Sequence, residues 1–395
     1  MKKITILILA ISLVFTLTAC KTTLNESPEN TTNPIQETTS GLNTPVVQQP
    51  MYSVSLPVVA EPEKTDDGTI LFHYIYQNIS LIGPDPEVAD RVIIDFLNKI
   101  DKTVTTAESI KAAAKQTYAP GANWNPYLCQ ITYKPTRIDQ SVMSLFGKYI
   151  TYSGTPHPES SYTSVTYDLI NGEALMLSDI LTDDATGDTL SSAIIGHLST
   201  QKETAYLYEG FEQTVKDRFN KSYDHDHAWN LSQNGLQFYF APYEIAPYSS
   251  GVVVAEIPYA ELTGILKDEY FPAERENATG TVFAESFDEN KLQRFTQFSE
   301  VVLTGNSRKV LLYTDKSVYN INLYKGSWSA NGATFIPEYE VFSASSLTPG
   351  DAIMIEDNFN DSIPEILLSY ESNGRTVEQY ISFNRENGTV TLTEN

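Results

Sequence analysis

The amino-acid sequence predicts an α+β fold followed by a smaller β-rich region, on three observations. Apolar residues recur at helical spacing after Asp85, strand-like runs precede and follow that segment, and residues 235–262 contain two strand signals joined by a turn-rich connector. Helices interleaved with antiparallel strands are typical of the α+β class, in which an antiparallel sheet packs against helices. The chain of 395 residues is also long enough for two hydrophobic cores.

The first 20 residues have the form of an export signal. Two lysines precede an apolar run at residues 4–17, and small residues lead to Cys20. This arrangement resembles the lipobox of bacterial lipoproteins, in which the signal, here residues 1–19, is removed and the cysteine is acylated. The resemblance implies that Cys20 is lipidated and holds the chain on the extracytoplasmic face of the cell membrane. An uncleaved anchor is the alternative, but the apolar run is shorter than the roughly 20 residues that a spanning helix needs.

A tether follows the signal. Residues 20–50 are rich in Thr, Asn, Ser, Gln, Glu and Pro and have almost no aromatic side chains. Such a composition cannot bury enough apolar surface to fold, so we expect a disordered tether before folded sequence begins at residue 51.

Residues 51–273 are predicted to form the α+β domain. Asp85 is a suitable N-cap with Pro86 at the first helical position, and apolar residues continue at helical spacing to Ile100. Thr105 and Glu108 form a capping-box pattern that predicts a second helical piece. Strands are predicted at residues 69–78, 127–134, 140–152 and 161–170, and further helical segments near residues 190–198 and 207–219.

Residues 235–262 give the strongest hairpin signal. Phe238 and Phe240 lie on one face of the first strand, and a β-branched run at residues 252–257 provides the second. Two prolines between them interrupt any strand ladder, so the connector must leave the sheet. After it, six short β-rich runs separated by Asn, Gly, Asp and Ser predict a β-rich domain over residues 279–395.

The charge of the chain excludes one class of partner. Lys and Arg total 26 against 50 Asp and Glu, which gives a formal net charge of -24 at pH 7. Nucleic acid is excluded as a partner because its phosphates would be repelled, whereas cationic proteins, cationic peptides and divalent cations would be attracted. An acidic surface that only keeps an exported protein soluble is the simpler interpretation.

The only other cysteine is Cys129. With Cys20 lipidated it has no partner for a disulfide within the chain. Its apolar neighbours in the strand pattern predict a buried, unreactive thiol.

The densest cluster of metal-ligating side chains is Asp224, His225, Asp226 and His227. In an extended segment the two histidines would face the same way and could hold zinc or copper together with a carboxylate. No further ligand appears at a recognisable spacing, and the polar surroundings favour a solvated loop. The sequence also contains no nucleophile elbow, phosphate loop, zinc-protease pair or dinucleotide fingerprint. We therefore expect no cofactor, with a divalent metal at this cluster as the alternative.

Five residues are candidates for contact with a partner: His157, Tyr243, Glu244, Tyr248 and Tyr259. The tyrosines lie in or beside the connector, where amphipathic rings can contact a glycan or a protein, although packing in a core is the alternative. His157 lies between two prolines, which form a rigid turn that either presents the ring or only reverses the chain.

The same region carries a family resemblance. The sequences GLQFYF at 235–240, PYEIAPY at 242–248 and IPY at 257–259 are similar to the signature of the domain-of-unknown-function family numbered 3298. Residues 154–158, Gly-Thr-Pro-His-Pro, resemble the Gly-Gly-Ala-His-Pro segment of that family. The region from Leu71 onward looks like a companion family numbered 4163.

The resemblance implies an accessory or binding module at the bacterial cell envelope. Family 3298 is found in the extracytoplasmic part of lysozyme-sensing anti-sigma factors and ahead of the catalytic domain of a peptidoglycan deacetylase. The sequence shows neither a sigma-binding segment before its signal nor the His-x-x-x-His spacing of the deacetylase, so we expect neither activity to transfer. We predict a non-catalytic module that binds a cationic protein such as lysozyme, or wall glycan. A metal-dependent peptidoglycan-modifying enzyme and a structural envelope spacer are the alternatives.

Overall fold

A computed structural model describes residues 52–203, 205–221, 228–273, 278–295, 297–303, 308–330, 332, 334–359 and 363–394. It combines helices with several antiparallel sheets and has a β-rich C-terminal region, so the predicted α+β class is confirmed. Within the described ranges, no helix is both long and apolar enough to cross a membrane. The predicted signal, the predicted tether and Cys20 lie outside the described residues.

The N-terminal region begins with a five-stranded sheet and one long helix. In chain order its elements are β1 (Ser53–Ser55), β2 (Val58–Lys64), β3 (Ile70–Gln77), β4 (Ser80–Ile82), α1 (Pro86–Thr117), β5 (Tyr127–Ile138), β6 (Val142–Tyr152) and β7 (Glu159–Asp168). The sheet order is β2-β3-β5-β6-β7, and only β3 and β5 pair in parallel, because α1 carries the chain between them. Phe96 of α1 packs edge to face on Tyr133 of β5, so the helix covers one face of this sheet.

Helix α1 begins where the sequence predicts but does not end where a second piece was expected. The Asp85 carboxylate accepts hydrogen bonds from the backbone N–H groups of Glu87 and Val88, at 2.9 and 3.2 Å. The helix then runs without a break through Thr105 and Glu108. The prediction of a separate helical piece was therefore wrong. The buried face simply continues along the helix, through Ala107, Ile110 and Ala114.

The next region contains three helices and a small sheet. Its elements are α2 (Leu177–Ile180), α3 (Gly187–Thr200), α4 (Phe211–Lys221), β8 (Trp229–Leu231), β9 (Gly235–Phe240) and β10 (Val253–Pro258). Strands β9 and β10 pair antiparallel, so the predicted hairpin is confirmed. The first residue of β9, Gly235, lies so close to β10 that a Cβ atom there would collide with the backbone carbonyl of Ile257, so the position requires glycine. The inner face of the hairpin packs against α3 and α4 in one core.

The C-terminal region is built from strands. Its elements are β11 (Val282–Ser286), α5 (Glu289–Leu292), β12 (Gln297–Val302), β13 (Arg308–Thr314), β14 (Val318–Trp328), β15 (Phe335–Leu347), β16 (Asp351–Asp357), β17 (Ile366–Ser372), β18 (Arg375–Phe383) and β19 (Val390–Glu394). Four strands form one sheet in the order β11-β13-β16-β12, in which β12 and β16 are parallel. Strands β14, β15, β17, β18 and β19 belong to a seven-stranded sheet in the order β19-β18-β17-β14-β15-β1-β4.

Two strands of that seven-stranded sheet come from the N-terminal region. Strand β1 pairs with both β15 and β4, and the buried hydroxyl groups of Ser53 and Ser299 lie 2.7 Å apart. The regions before and after residues 273–279 therefore share one hydrogen-bonded sheet. The division into domains at 51–273 and 279–395 stays a prediction.

The Cys129 thiol on β5 is fully buried, as the sequence predicts. Burial raises its pKa, which disfavours the reactive thiolate. Its sulfur lies 3.5 Å from the hydroxyl group of Tyr149.

Candidate binding site

The connector between β9 and β10 is held in a tight double turn. The backbone N–H of Glu244 donates to the carbonyl of Ala241 at 3.1 Å, and that of Tyr243 donates to the carbonyl of Ala246 at 2.9 Å. Tyr243 adopts a φ of +71°, in the left-handed region that a bulky side chain rarely occupies. Such strain persists only where surrounding contacts impose it, and it concentrates at functional sites.

Three exposed rings form a row on this connector and a neighbouring loop. The ring of Tyr248 stacks on that of Tyr243, with centroids 5.7 Å apart and planes inclined by 30°. On its other side Tyr248 lies 5.4 Å from the ring of His157, centroid to centroid. We call His157, Tyr248 and Tyr243 the aromatic row. The fold thus brings together three of the five predicted contact residues, although His157 lies 86 positions before Tyr243 and 91 before Tyr248 along the chain.

The loop of His157 is fixed by local hydrogen bonds. The hydroxyl group of Thr155 donates to the carbonyl of His157 at 2.8 Å, and the ring nitrogen Nδ1 of His157 lies 3.2 Å from the carbonyl of Pro158. The loop joins β6 to β7, so the five-stranded sheet positions the imidazole while the hairpin positions the two tyrosines.

Glu244, the fourth predicted residue, fixes the connector to the core. One carboxylate oxygen accepts from Nη1 of Arg218 at 2.8 Å, and the other accepts from the backbone N–H of Ala241 at 2.9 Å. The Arg218 side chain is only 8 % exposed and also lies over the ring of Phe240. Burial lowers the pKa of Arg218, and the Glu244 carboxylate opposes that shift. Glu244 therefore fixes the turn that carries Tyr243.

Arg218 was missed by the sequence analysis. It lies on α4 directly before Phe219, whose ring is buried, and a cation beside the buried face of a helix is the signal that would have marked it. Its partner is 26 positions away, and only the fold shows that the two side chains meet.

A second exposed segment lies against the connector. The backbone N–H of Tyr208 donates to the carbonyl of Ile245 at 2.9 Å, and the Ser250 hydroxyl group donates to the carbonyl of Ala205, also at 2.9 Å. Tyr206 and Tyr208 are exposed on this segment. The sequence analysis predicted neither tyrosine as a contact residue, because aromatic residues close to the start of a predicted helix resemble ordinary core residues.

A second group of stacked rings lies between the five-stranded and three-stranded sheets. Tyr162 of β7 stacks on Phe146 of β6, which in turn stacks on Tyr239 of β9 at 4.0 Å between centroids. Burial raises the pKa of Tyr162, with a smaller contribution from nearby Tyr248. These rings join the three-stranded and five-stranded sheets.

Comparison with known proteins finds a family match over part of the chain. Residues 178–260 match the family described as Protein of unknown function (DUF3298). We call this range the DUF3298 segment. It contains α3, α4, β8, β9, β10 and the whole connector, whereas His157 lies before it. The resemblance of the earlier region to family 4163 stays a prediction.

Two solved structures similar to this chain are also described as DUF3298 family proteins. One is from Pseudomonas aeruginosa PAO1, with 17 % identity, a TM-score of 0.40, and coverage of 55 % of this chain and 98 % of the other. The second is from Bacteroides fragilis NCTC 9343, with 18 % identity, a TM-score of 0.39, and coverage of 55 % of this chain and 94 % of the other. No curated protein matches the chain.

Tyr259, the fifth predicted residue, lies at the end of the DUF3298 segment and is not part of the aromatic row. Its hydroxyl group donates to the carbonyl of Ser232 at 2.8 Å and accepts from Nη1 of Arg137 at 2.7 Å. Its ring packs on Phe271 and beneath the Arg137 guanidinium. Burial raises the pKa of Tyr259. Through these contacts Tyr259 packs against the rest of the fold and is not beside the exposed rings of the aromatic row.

The predicted metal cluster, Asp224 to His227, lies outside the described residues. Among the residues that the structure does describe, no group of three or more His, Cys, Asp or Glu side chains is placed to hold a metal ion.

Proposed function

We propose that the chain is a lipid-anchored, extracytoplasmic binding module of the bacterial cell envelope, and that the aromatic row contacts a cationic protein such as lysozyme. The observation that carries the proposal is the row itself, since three neighbouring rings from two separate loops are exposed to solvent. The lipid anchor is supported by the sequence around Cys20.

The rings of the row have the properties of interface anchors. Tyr243 is 66 % exposed and Tyr248 is 44 % exposed. Tyrosine supplies a large contact area with few rotatable bonds and is enriched among residues that dominate binding energy. Because the Arg218–Glu244 pair already fixes the connector, little conformational freedom is left to lose on binding.

Charge complementarity favours a cationic partner over a neutral one. Exposed carboxylates lie on the neighbouring segments, with Glu159 following the His157 loop and Glu209 following Tyr208, whose backbone is hydrogen-bonded to the connector. The sequence as a whole has a formal net charge of -24. Electrostatic attraction of this kind raises association rates and discriminates against acidic partners.

The test is a calorimetric titration of the detergent-solubilised full chain with lysozyme at low and at physiological salt. A second titration uses a control protein matched in size and positive charge. We expect saturable one-to-one binding of lysozyme that weakens with salt but persists at physiological ionic strength, and weaker binding of the control.

Four results would overturn the proposal. Heat that disappears at physiological salt, or equal heats for both proteins, would mean only nonspecific attraction. Binding of soluble wall-glycan fragments in place of lysozyme would assign the row to sugar recognition. Turnover of peptidoglycan fragments by a metal-containing preparation would favour the enzymatic alternative.

A further inference from the structure

A lysine and two carboxylates meet where the seven-stranded and four-stranded sheets of the C-terminal region contact each other. Lys325 lies on β14 of the seven-stranded sheet, and Asp357 ends β16 of the four-stranded sheet. Nζ of Lys325 lies 2.5 Å from Oδ2 of Asp357 and 3.0 Å from Oε2 of Glu365, the residue before β17. One amino group therefore contacts two carboxylates that come from separate segments of the chain.

Burial distinguishes this cluster from an ordinary surface ion pair. The side chain of Asp357 is only 2 % exposed, and the side chains of Lys325 and Glu365 are 26 % and 36 % exposed. The backbone also fixes the lysine beside the glutamate. Lys325 is paired with Ile366 of β17, and the N–H of Gly326 donates to the carbonyl of Glu365 at 3.0 Å. The amine and both carboxylates are thus held in contact by the strands that carry them.

The amine of Lys325 is close to the carboxyl carbon of Asp357. A carbon–oxygen bond is about 1.2 Å long, so Nζ lies no more than about 3.7 Å from Cγ. Groups held at about 3–3.5 Å in a fixed arrangement reach effective concentrations of about 10⁵–10⁸ M, far above that of water. Their condensation also removes a charge from a side chain that is almost fully buried. Both effects favour an amide over the separate groups.

We propose that Lys325 and Asp357 form an intramolecular isopeptide bond between Nζ and Cγ, with Glu365 as the catalytic acid and base. The bond joins β14 to β16 and so links the two sheets of the C-terminal region covalently.

The reaction balances in atoms and charge. The ammonium group of Lys325 gives one proton to Asp357, which leaves a neutral amine and a carboxylic acid. Nζ attacks Cγ, and the electron pair of the C=O bond moves to its oxygen. Glu365 takes a proton from the nitrogen and gives it to the hydroxyl group of Asp357, which leaves as water when the C=O bond forms again. One ammonium and one carboxylate become one amide and one water molecule, and Glu365 is unchanged.

The resting charge of the lysine makes this reaction slow. Burial lowers the pKa of Lys325, but the hydrogen bonds and charges of Asp357 and Glu365 outweigh burial and hold the pKa above its usual value. The ammonium is therefore the main form at neutral pH, and the reactive neutral pair is a minor form. Because each chain reacts only once, a slow reaction is sufficient.

The experiment is digestion of the purified, folded full chain with trypsin and then chymotrypsin, followed by tandem mass spectrometry. We expect a branched peptide that joins Lys325 to Asp357, with a mass one water below that of its two linear parts. Linear peptides that end at Lys325 as the main product would overturn the proposal. A loss of water confined to Asp357, without branching, would also overturn it, because an aspartate can lose water by closing on its own backbone.

The same digest contains a control pair. Nζ of Lys309 lies 3.1 Å from Glu356 and 3.8 Å from Glu300, so its second carboxylate is beyond hydrogen-bond distance. The Glu356 side chain is also more exposed than that of Asp357, at 16 %. We expect only linear peptides from this pair. Equal branching at both lysines would contradict a reaction that depends on the Glu365 contact.

Two variants test the role of Glu365. Glu365→Gln nearly keeps the shape of the side chain but removes the group that accepts the proton. Glu371→Gln makes the same change at an exposed position of β17 and is the control. We expect at least tenfold less branched peptide in the first variant and an unchanged yield in the second. A full yield in folded Glu365→Gln would contradict the catalytic role. If Glu365→Gln does not fold, the digest of the unmodified chain decides whether the bond forms.

Discussion

At the scale of single residues, one largely buried ion pair holds the connector that carries the exposed tyrosines. The pair formed by Arg218 and Glu244 lies beneath the connector, with the arginine almost fully buried and the glutamate side chain 30 % exposed. Its carboxylate also accepts from the backbone of Ala241, so one side chain fixes both the core and the turn. The pair therefore fixes the connector that carries Tyr243 and Tyr248.

Glu244→Ala should destabilise the chain by about 2 kcal/mol. Removing one partner of a fully buried pair costs about 3–5 kcal/mol, and partial exposure of Glu244 reduces that cost. The measurement is the urea midpoint at pH 7. The control, Glu209→Ala, removes an exposed carboxylate near the row and should change the free energy of unfolding by less than about 0.5 kcal/mol. Equal effects of the two substitutions would contradict the positioning role of Glu244.

Glu340 should make stability depend on pH. Its pKa is about 8 in the folded chain and 4.5 as the reference value, so the folded state holds the proton more tightly. The contribution of the protonated Glu340 to the free energy of unfolding is fully present below pH 4.5 and is lost as pH rises through 8. The total loss in the free energy of unfolding is at most about 5 kcal/mol.

Glu340→Gln removes this titration and nearly preserves the shape of the side chain. We expect unfolding free energies of the unmodified chain and the variant to diverge between pH 5 and pH 9, with the unmodified chain losing more. Urea midpoints at pH 5, 7 and 9 measure the difference, since all other titrating groups are shared. Parallel curves would show that Glu340 is already ionised at low pH.

At the scale of elements, the sequence predicts best where one local signal decides the structure. The Asp85 cap and the apolar spacing after it predict the start of α1, and the alternation around Phe238 predicts β9. The capping-box pattern at Thr105 wrongly predicts the start of a new helix. The buried face of α1 continues through this position, and tertiary packing overrides the local signal.

Strand β15 shows why other elements escape prediction from sequence. It is 13 residues long, yet it contains Pro337 and buries Ser343 and Ser345, so its pattern is not apolar on either face. Its stability comes from pairing with β1, which is distant in the chain, and with β14, where the pairing contains two register shifts. The same reason explains the site. His157, Tyr248 and Tyr243 were each predicted, but the proximity of their rings depends on how the loop between β6 and β7 meets the connector.

Asp85→Ala should cost about 1 kcal/mol of stability, because two backbone N–H groups of α1 lose their acceptor. Urea denaturation followed by circular dichroism measures this loss. Asp90→Ala, at an exposed position inside the same helix, is the matched control and should change stability by less than about 0.5 kcal/mol. A larger effect at Asp90 than at Asp85 would contradict the capping role.

At the scale of the whole molecule, the seven-stranded sheet joins the two ends of the described chain. Strands β1 and β4 complete a sheet that is otherwise C-terminal, and Nε2 of Gln77 donates to the carbonyl of Leu56 beside that junction. A small polar cavity lined by residues of β5, β14 and β15 lies at the same boundary. The two regions therefore depend on each other for hydrogen bonds and for buried surface.

The full chain should unfold in one cooperative transition. Shared pairing of β1 with β15 means that neither region can open without breaking the common sheet. Tryptophan fluorescence and far-ultraviolet circular dichroism should give coincident urea midpoints. Two separated transitions would instead indicate independent domains at 51–273 and 279–395.

The central claim is that the aromatic row is the binding surface, and the most direct measurement is the affinity of lysozyme for two alanine variants. Tyr248→Ala removes the middle ring, whereas Phe283→Ala removes a similarly exposed ring on β11, at 41 % against 44 % exposure. We expect calorimetry to give at least tenfold weaker binding for Tyr248→Ala and unchanged binding for Phe283→Ala. Unchanged affinity in folded Tyr248→Ala would contradict the account.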